Sequence, residues 1–239
     1  MYLPIPPSET CASAWLSAVR SVNGQPNHEA FNVIIDVADP VAVSTSDKKI
    51  IGLVDKFLES YGKPPLQTIA NTIFPESIYQ RYGSPKFYEV YLKTVYPKIK
   101  HGDGGWGRYF ERMINCGSGT ERINPLAELV TKLHDQLNGG GSVFRNIYEV
   151  GIYDPAMDLR IYDQDKDAGR NMNRQCLSFL SFKLNNERML SVTAVYRNHY
   201  YIARLLGNMI GLGRLLKFIA AETGATIGSL TIVSTHAQV

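Results

Sequence analysis

Cys176-Leu177-Ser178-Phe179-Leu180-Ser181-Phe182-Lys183-Leu184, then Asn185-Asn186-Glu187, then Met189-Leu190-Ser191-Val192-Thr193-Ala194-Val195-Tyr196-Arg197, is the stretch on which the fold turns. Two apolar runs with β-branched and aromatic residues flank a short polar break. That predicts a hairpin of strands, Cys176–Leu184 and Met189–Arg197. Runs this continuous imply a sheet buried on both faces. A hairpin also returns Arg197 to the Cys176 end of the sheet.

Downstream, Ile202, Leu205, Leu206, Met209, Ile210, Leu216 and Ile219 fall at helical spacing, which predicts a long helix from His199 to Glu222. Thr223-Gly224 ends it, and Leu230–Ser234 predicts a closing strand. Upstream, Phe144–Ile152 reads as another strand, and Asn124-Pro125 starts a capped helix that Gly139-Gly140-Gly141 stops. In the first half, Ser8 is the expected N-cap of a helix over Glu9–Val22. Phe31–Val37 reads as a strand, and Ser46–Tyr61 as an amphipathic helix with Gly62 behind it. Residues 65–98 read as helical pieces, and the stripe Phe87, Tyr88, Tyr91, Val95, Tyr96 is expected to be core packing. Strands and helices in this mixture predict an α+β fold, a large mixed β-sheet packed with helices. No low-complexity linker divides the 239 residues, so a single domain over 1–239 is expected.

With 44% hydrophobic and 20% charged residues and a net charge of +3, the chain has no basic stripe for a nucleic acid partner. No apolar run reaches membrane-span length, and the start, Met1-Tyr2-Leu3-Pro4, lacks a signal-peptide pattern, so no membrane association and a cytoplasmic setting are expected. The three cysteines, Cys11, Cys116 and Cys176, show no CxxC, and the histidines show no HxxxH or HxH, so no metal site is expected. Gly211-Leu212-Gly213 lies inside a helix rather than after a strand, which argues against a dinucleotide loop. Asp158, Asp163, Asp165 and Asp167 lack the ligand order of a calcium loop and read as a solvated segment.

Cys176 and Arg197 then carry the chemistry, because a guanidinium beside a thiol favours the reactive thiolate. Cys116, in a Gly/Ser loop, is the rival thiol, with no base beside it in sequence. Asn208 lies within an apolar helix, where an amide must be paired. It offers a donor and an acceptor, as the carbonyl and N–H edge of uracil requires. His236 follows the closing strand.

Cys176, Arg197, Gly207-Asn208 and His236, in this order and at these intervals, resemble the thymidylate synthase and pyrimidine nucleotide hydroxymethylase superfamily. Gln175-Cys176-Leu177 stands where that family has Pro-Cys-His, and Gly207-Asn208 matches the end of its Pro-Phe-Asn segment. Gly105-Trp106-Gly107-Arg108-Tyr109-Phe110 is similar to its Tyr-Gly-x-x-Trp segment. The resemblance implies a thymidylate synthase-like fold and a Cys176 nucleophile that adds to C6 of a pyrimidine nucleotide of the dUMP type. It implies transfer of a methyl or hydroxymethyl group to C5 from 5,10-methylenetetrahydrofolate. Arg197 would hold phosphate, Asn208 would read the base and His236 would hold the sugar. Asn198, Arg145 and Trp106 would complete the substrate site, Arg145 reaching across a homodimer. Asn198 and Tyr200 replace the family's Ser and Asp, Leu177 its His beside the nucleophile, and Gln238 the Tyr of its His-x-Tyr pair. The chain ends at Val239, without the family's long segment over folate. These replacements raise the alternative of a catalytically inactive nucleotide-binding protein that acts as a sensor or partner.

Overall fold

The computed structural model describes residues 2–100, 107–117, 122–139, 143–144, 146–154, 158 and 175–239. The hairpin forms as β4 (Leu177–Leu184) and β5 (Met189–Tyr196), paired antiparallel. Asn185 makes the turn with its own side chain: its Oδ1 accepts from the backbone N–H of Glu187 and of Met189. The closing strand is much longer than its apolar core. β7 runs Thr226–Gln238 and pairs parallel with β5 and antiparallel with β2 (Glu29–Val37). With β1 (Leu3–Pro4), β3 (Glu149–Gly151) and β6 (His199–Tyr200), these form a seven-stranded mixed sheet. Its order is β1-β2-β7-β5-β4-β3, with β6 on β7.

One face of this sheet is dry. Leu180, Phe182, Leu190, Val192, Ala194, Leu230, Ile232, Val33 and Ile35 are all buried there, under α1 (Cys11–Asn23) and the long α9 (Leu206–Thr223). Between these positions the strands alternate to partly exposed residues such as Ile34, Thr193, Val195 and Val233. This corrects the expectation of a sheet buried on both faces. Apolar β-branched residues on the second face made the runs look continuous, yet the single chain leaves that face half open.

Helix starts follow their caps. Thr10, not Ser8, caps α1, its hydroxyl accepting from Ser13 N–H in a capping box. Ser44 and Asp47 do the same for α2 (Thr45–Ser60), and Asn124 caps α8 (Pro125–Asn138). Between α2 and α8 lie α3 (Leu66–Ile73), α4 (Glu76–Tyr82), α5 (Lys86–Val90), α6 (Tyr96–Ile99) and α7 (Tyr109–Ile114). Phe87, Tyr88 and Tyr91 are core as expected, in a ring cluster with Phe74, Phe110 and Phe218. Gly211 belongs to packing: a Cβ there would meet Ala70 O of α3 at 2.7 Å. Gly207 is pressed likewise on Ile69, so α9 can lie against α3 and carry Asn208 to the sheet.

The sheet breaks its alternation along one line. Leu177, Tyr196, Ser234 and Val33 stand in a row across four strands, all buried. Past that row the next buried residues are His199, Ala237 and Ala30, three positions on instead of two. The extra residues are Arg197-Asn198, Thr235-His236 and Phe31-Asn32, and Asn32 adopts a positive φ of 53°. On β4 a register shift falls between Leu177 and Phe179. Irregularities of this kind re-aim side chains at the end of a sheet. Here they gather polar residues from three strands at one level. The expected strand over Phe144–Ile152 shrinks to β3. The expected helix from His199 begins instead with β6 and a π-helical turn, Tyr201–Leu205.

Candidate functional site

Arg197 N–H donates to Cys176 O at 2.9 Å, so the hairpin brings these two residues together as expected. Burial pushes the Cys176 thiol above its ordinary value, while the guanidinium groups of Arg197 and Arg204 pull it down. Arg204 lies on the π-helical turn before α9, seven residues after Arg197 and one irregular turn away. A regular helix from His199 would have aimed it elsewhere, and for that reason sequence reasoning missed it.

Two phenols flank the thiol, and sequence reasoning missed these as well. The Tyr109 hydroxyl accepts from the backbone N–H of Cys176 at 3.2 Å and of Leu177 at 3.4 Å. Burial, with Cys176 next, raises the Tyr109 hydroxyl to about 12, so it stays protonated and can donate. Tyr196 is fully buried, and its hydroxyl has no hydrogen-bond partner among the described residues. Gln175 Nε2 donates to Gly107 O, which ties the segment after Trp106 to the Cys176 strand. Trp106 itself and Arg145 lie outside the described residues.

Asn208 is buried at the start of α9, 3% exposed. Its Nδ2 lies 2.9 Å from His199 Nε2, and His199 Nδ1 lies 3.1 Å from Ser234 Oγ. The Tyr201 hydroxyl donates to the same Oγ at 3.3 Å. The His199 ring stacks on Tyr196 with centroids 3.9 Å apart and an interplanar angle of 13°. Burial lowers His199 to about 3, so its imidazole is neutral at physiological pH. Asn208 is therefore joined to the Cys176 neighbourhood through His199 and Tyr196, a link with no sequence signal of its own.

His236 and Asn198 sit one step further along the sheet. His236 Nδ1 donates to Asn198 Oδ1 at 2.8 Å, and its Nε2 is 3.5 Å from Glu29 Oε2. Phe31 lies against the His236 ring, with centroids 5.2 Å apart. Thr235 Oγ1 donates to Arg197 O at 2.9 Å and fixes the backbone between the two groups. Asn198 thus serves His236.

The acidic residues of the 158–167 segment also need correction. Asp158 is not solvated: it is buried and bridges to Arg112 through Nη1–Oδ2 at 2.5 Å and Nη2–Oδ1 at 3.3 Å. Burial raises its carboxyl, but the Arg112 hydrogen bonds, the Asp154 backbone N–H and the charge of Arg197 hold it below the ordinary carboxylate range. Asp163, Asp165 and Asp167 lie outside the described residues. Cys116 is held in a two-residue backbone bridge with Ile123, apart from these groups. Compared with known proteins, the chain matches no family model and no curated protein.

A surface cleft of about 240 Å³ lies elsewhere, lined by Cys11, Pro40, Val43, Asp47, Glu76 and Arg214 among others. It does not include Cys176, Asn208 or His236. Its polar groups answer one another: Arg214 reaches Glu76 at 3.2 Å and Gln67 at 2.6 Å, and Lys217 reaches Glu76 at 3.7 Å. Cys11 donates to Pro40 O. No group of three or more metal-ligating residues occurs among the described residues.

Proposed function

We propose that the chain binds a pyrimidine nucleotide at the irregular end of its sheet and acts on it as a thymidylate synthase-like one-carbon transferase. The observation that carries this reading is the gathering of the Cys176 thiol, two guanidinium groups and, through Tyr196 and His199, the Asn208 amide. Arg197 and Arg204 are the cations for phosphate. The Cys176 thiolate adds to C6 of the base and moves the electron pair of the C5–C6 bond onto C5 and O4. C5 is then nucleophilic toward a one-carbon electrophile. Loss of the C5 proton and departure of the thiolate restore the ring. Tyr109, protonated and against the same strand, is placed to donate to developing charge.

The resemblance implies 5,10-methylenetetrahydrofolate as donor of that carbon. Beside Cys176, Arg197 and Arg204 offer cations for a phosphate, and the described residues show no open ring face for a pterin. Of the two rings beside the thiol, Tyr196 is fully buried and its face is taken by His199.

One observation favours a second reading. Burial outweighs both guanidinium groups and leaves the thiol above its ordinary value, as suits a nucleotide sensor without turnover. Tritium release from 5-tritiated dUMP, dCMP, UMP and CMP, with and without methylenetetrahydrofolate, separates the two. Release that Cys176→Ser abolishes without loss of nucleotide binding supports the transferase. Binding without release from any of the four supports the sensor, and absence of binding removes both.

The second sheet face supports a homodimer as part of the proposal. Phe179, Val195, Val233 and Ile34 form an apolar row across four paired strands, each partly exposed. Ser181, Thr193, Thr231 and Asp36 form a polar row beside it. An apolar core with a polar border suits a subunit contact. Sedimentation of the protein and of Val233→Glu tests this, with a dimer expected for the first and a monomer for the second.

A further inference from the structure

We infer that His199 is a positioning residue that locks the amide of Asn208 in one orientation, and that this lock makes the site select a uracil base over a cytosine base. The inference rests on the nucleotide reading above and adds to it the group that sets base choice.

The argument begins with hydrogen counting. A neutral imidazole has one N–H and one lone pair. Asn208 presents Nδ2, a donor, to His199 Nε2 at 2.9 Å, so Nε2 must carry the lone pair and Nδ1 the hydrogen. That hydrogen goes to Ser234 Oγ at 3.1 Å, which also accepts from the Tyr201 hydroxyl. Ser234 lies in the buried row on β7 and Tyr201 on the turn before α9, both buried, so the chain of partners is held by two packed elements. Stacking on Tyr196 and the edge contact of Tyr201 fix the plane of the imidazole. The titratable groups against the ring are these two tyrosines.

Asn208 Oδ1 has no hydrogen-bond partner among the described residues, while Nδ2 is engaged inward. One Nδ2 hydrogen is taken by His199, which leaves for a ligand the second Nδ2 hydrogen and, in a fixed position, an acceptor. At the middle of its edge uracil carries an N–H, which satisfies it. Cytosine carries a ring nitrogen lone pair at the same position, which repels it. An asparagine free to turn over would accept either base, since its two ends differ only by exchange of donor and acceptor. The imidazole removes that freedom, and buried polar groups matched in this way reject the mismatched partner strongly.

Two measurements test the inference. Imidazole nitrogen NMR of the wild-type protein at neutral pH is expected to show His199 with Nδ1 protonated and Nε2 bare. The opposite tautomer, or a charged ring, overturns the lock whatever the protein binds. Titration with dUMP and dCMP is expected to favour dUMP by about tenfold or more, the scale of one matched base contact. Ser234→Ala removes the acceptor for Nδ1–H. A buried N–H without a partner is worse than a bare acceptor, so the ring should move its hydrogen to Nε2 and turn Oδ1 of Asn208 inward. The preference should then fall by about tenfold or pass to dCMP. A folded Ser234→Ala with unchanged preference overturns the inference and leaves nucleotide binding standing. Should that variant not fold, His199→Phe keeps the ring stack, lacks the acceptor, and must lose the preference in the same way. Binding of neither nucleotide by the wild type overturns the functional reading and the base choice together, while the tautomer result stands separately.

Discussion

The two buried ends of this molecule treat a cysteine in opposite ways. At the amino-terminal end, lining the cleft, Cys11 is buried. Burial first, then the carboxylates of Asp39 and Asp47, push its thiol up to about 12. At the carboxyl-terminal sheet end, Cys176 is also raised by burial, but Arg197 and Arg204 oppose the rise. The polar groups around the two thiols differ in the same sense. Near Cys11, Thr10, Ser44 and Asp47 satisfy one another in a double cap. Near Cys176, neither the Tyr196 hydroxyl nor Asn208 Oδ1 has a hydrogen-bond partner among the described residues. A closed set of hydrogen bonds holds helices together, and an open one is where the proposed ligand would bind.

Thiol reactivity should show this contrast most strongly. Iodoacetamide at pH 8, followed by peptide mass spectrometry, is expected to label Cys176 at least about a hundredfold faster than Cys11, since only the thiolate reacts. Arg197→Ala should slow Cys176 and move its pH–rate profile to higher pH without changing Cys11. Equal labelling of both cysteines would remove the contrast.

Stability comes next. Arg112 and Asp158 are buried together, with side-chain exposures of 6% and 3%. Removing the guanidinium leaves a buried carboxylate without its paired cation, so Arg112→Ala should cost about 3–5 kcal/mol in denaturant unfolding. Asp158 has a folded pKa below its unfolded one. Its contribution is therefore present above the unfolded pKa near 4 and is lost as pH falls through the folded value. The difference between wild type and Asp158→Asn should shrink on acidification below about pH 4. A smaller loss is expected at the other end. Asp47→Ala removes the acceptor for Ser44 N–H and the Thr10 hydroxyl, and should cost about 1–2 kcal/mol by the usual scale of a helix cap. A larger loss from Asp47→Ala than from Arg112→Ala would reverse the assignment of the two ends.

Much of the sheet end was legible in the sequence, for physical reasons that differ by residue. The hairpin was readable because two apolar runs with β-branched and aromatic residues flank a polar break, and a hairpin must return Arg197 to Cys176. The long β7 was not, because only Leu230–Ser234 is strongly apolar and its outer residues are mostly polar or small. His199 was read as the first residue of a helix. Its place in β6 depends on the break in alternation after Tyr196, which arises from neighbouring strands and not from local pattern. Tyr109 and Arg204 reach Cys176 only through tertiary packing. Asp158 looked solvated because its partner Arg112 lies 46 residues away.

The smallest expected effect is the sharpest control on where the proposed nucleotide would bind. Both ends offer cations. Arg214 and Lys217 line the cleft, and Arg197 and Arg204 stand at the sheet end. The cleft cations already face Glu76, so a phosphate arriving there would have to compete with a carboxylate of its own chain. Lys217 is 59% exposed and 3.7 Å from Glu76, a geometry in which an ion pair contributes little. Lys217→Ala should therefore leave both unfolding and dUMP affinity unchanged within error. Arg204→Ala, by removing one cation from the sheet end, should weaken dUMP by about tenfold, with the loss reduced at high salt. If Lys217→Ala weakened dUMP and Arg204→Ala did not, the nucleotide would belong to the cleft beside Cys11. The open hydrogen bonds around Tyr196 would then need another ligand.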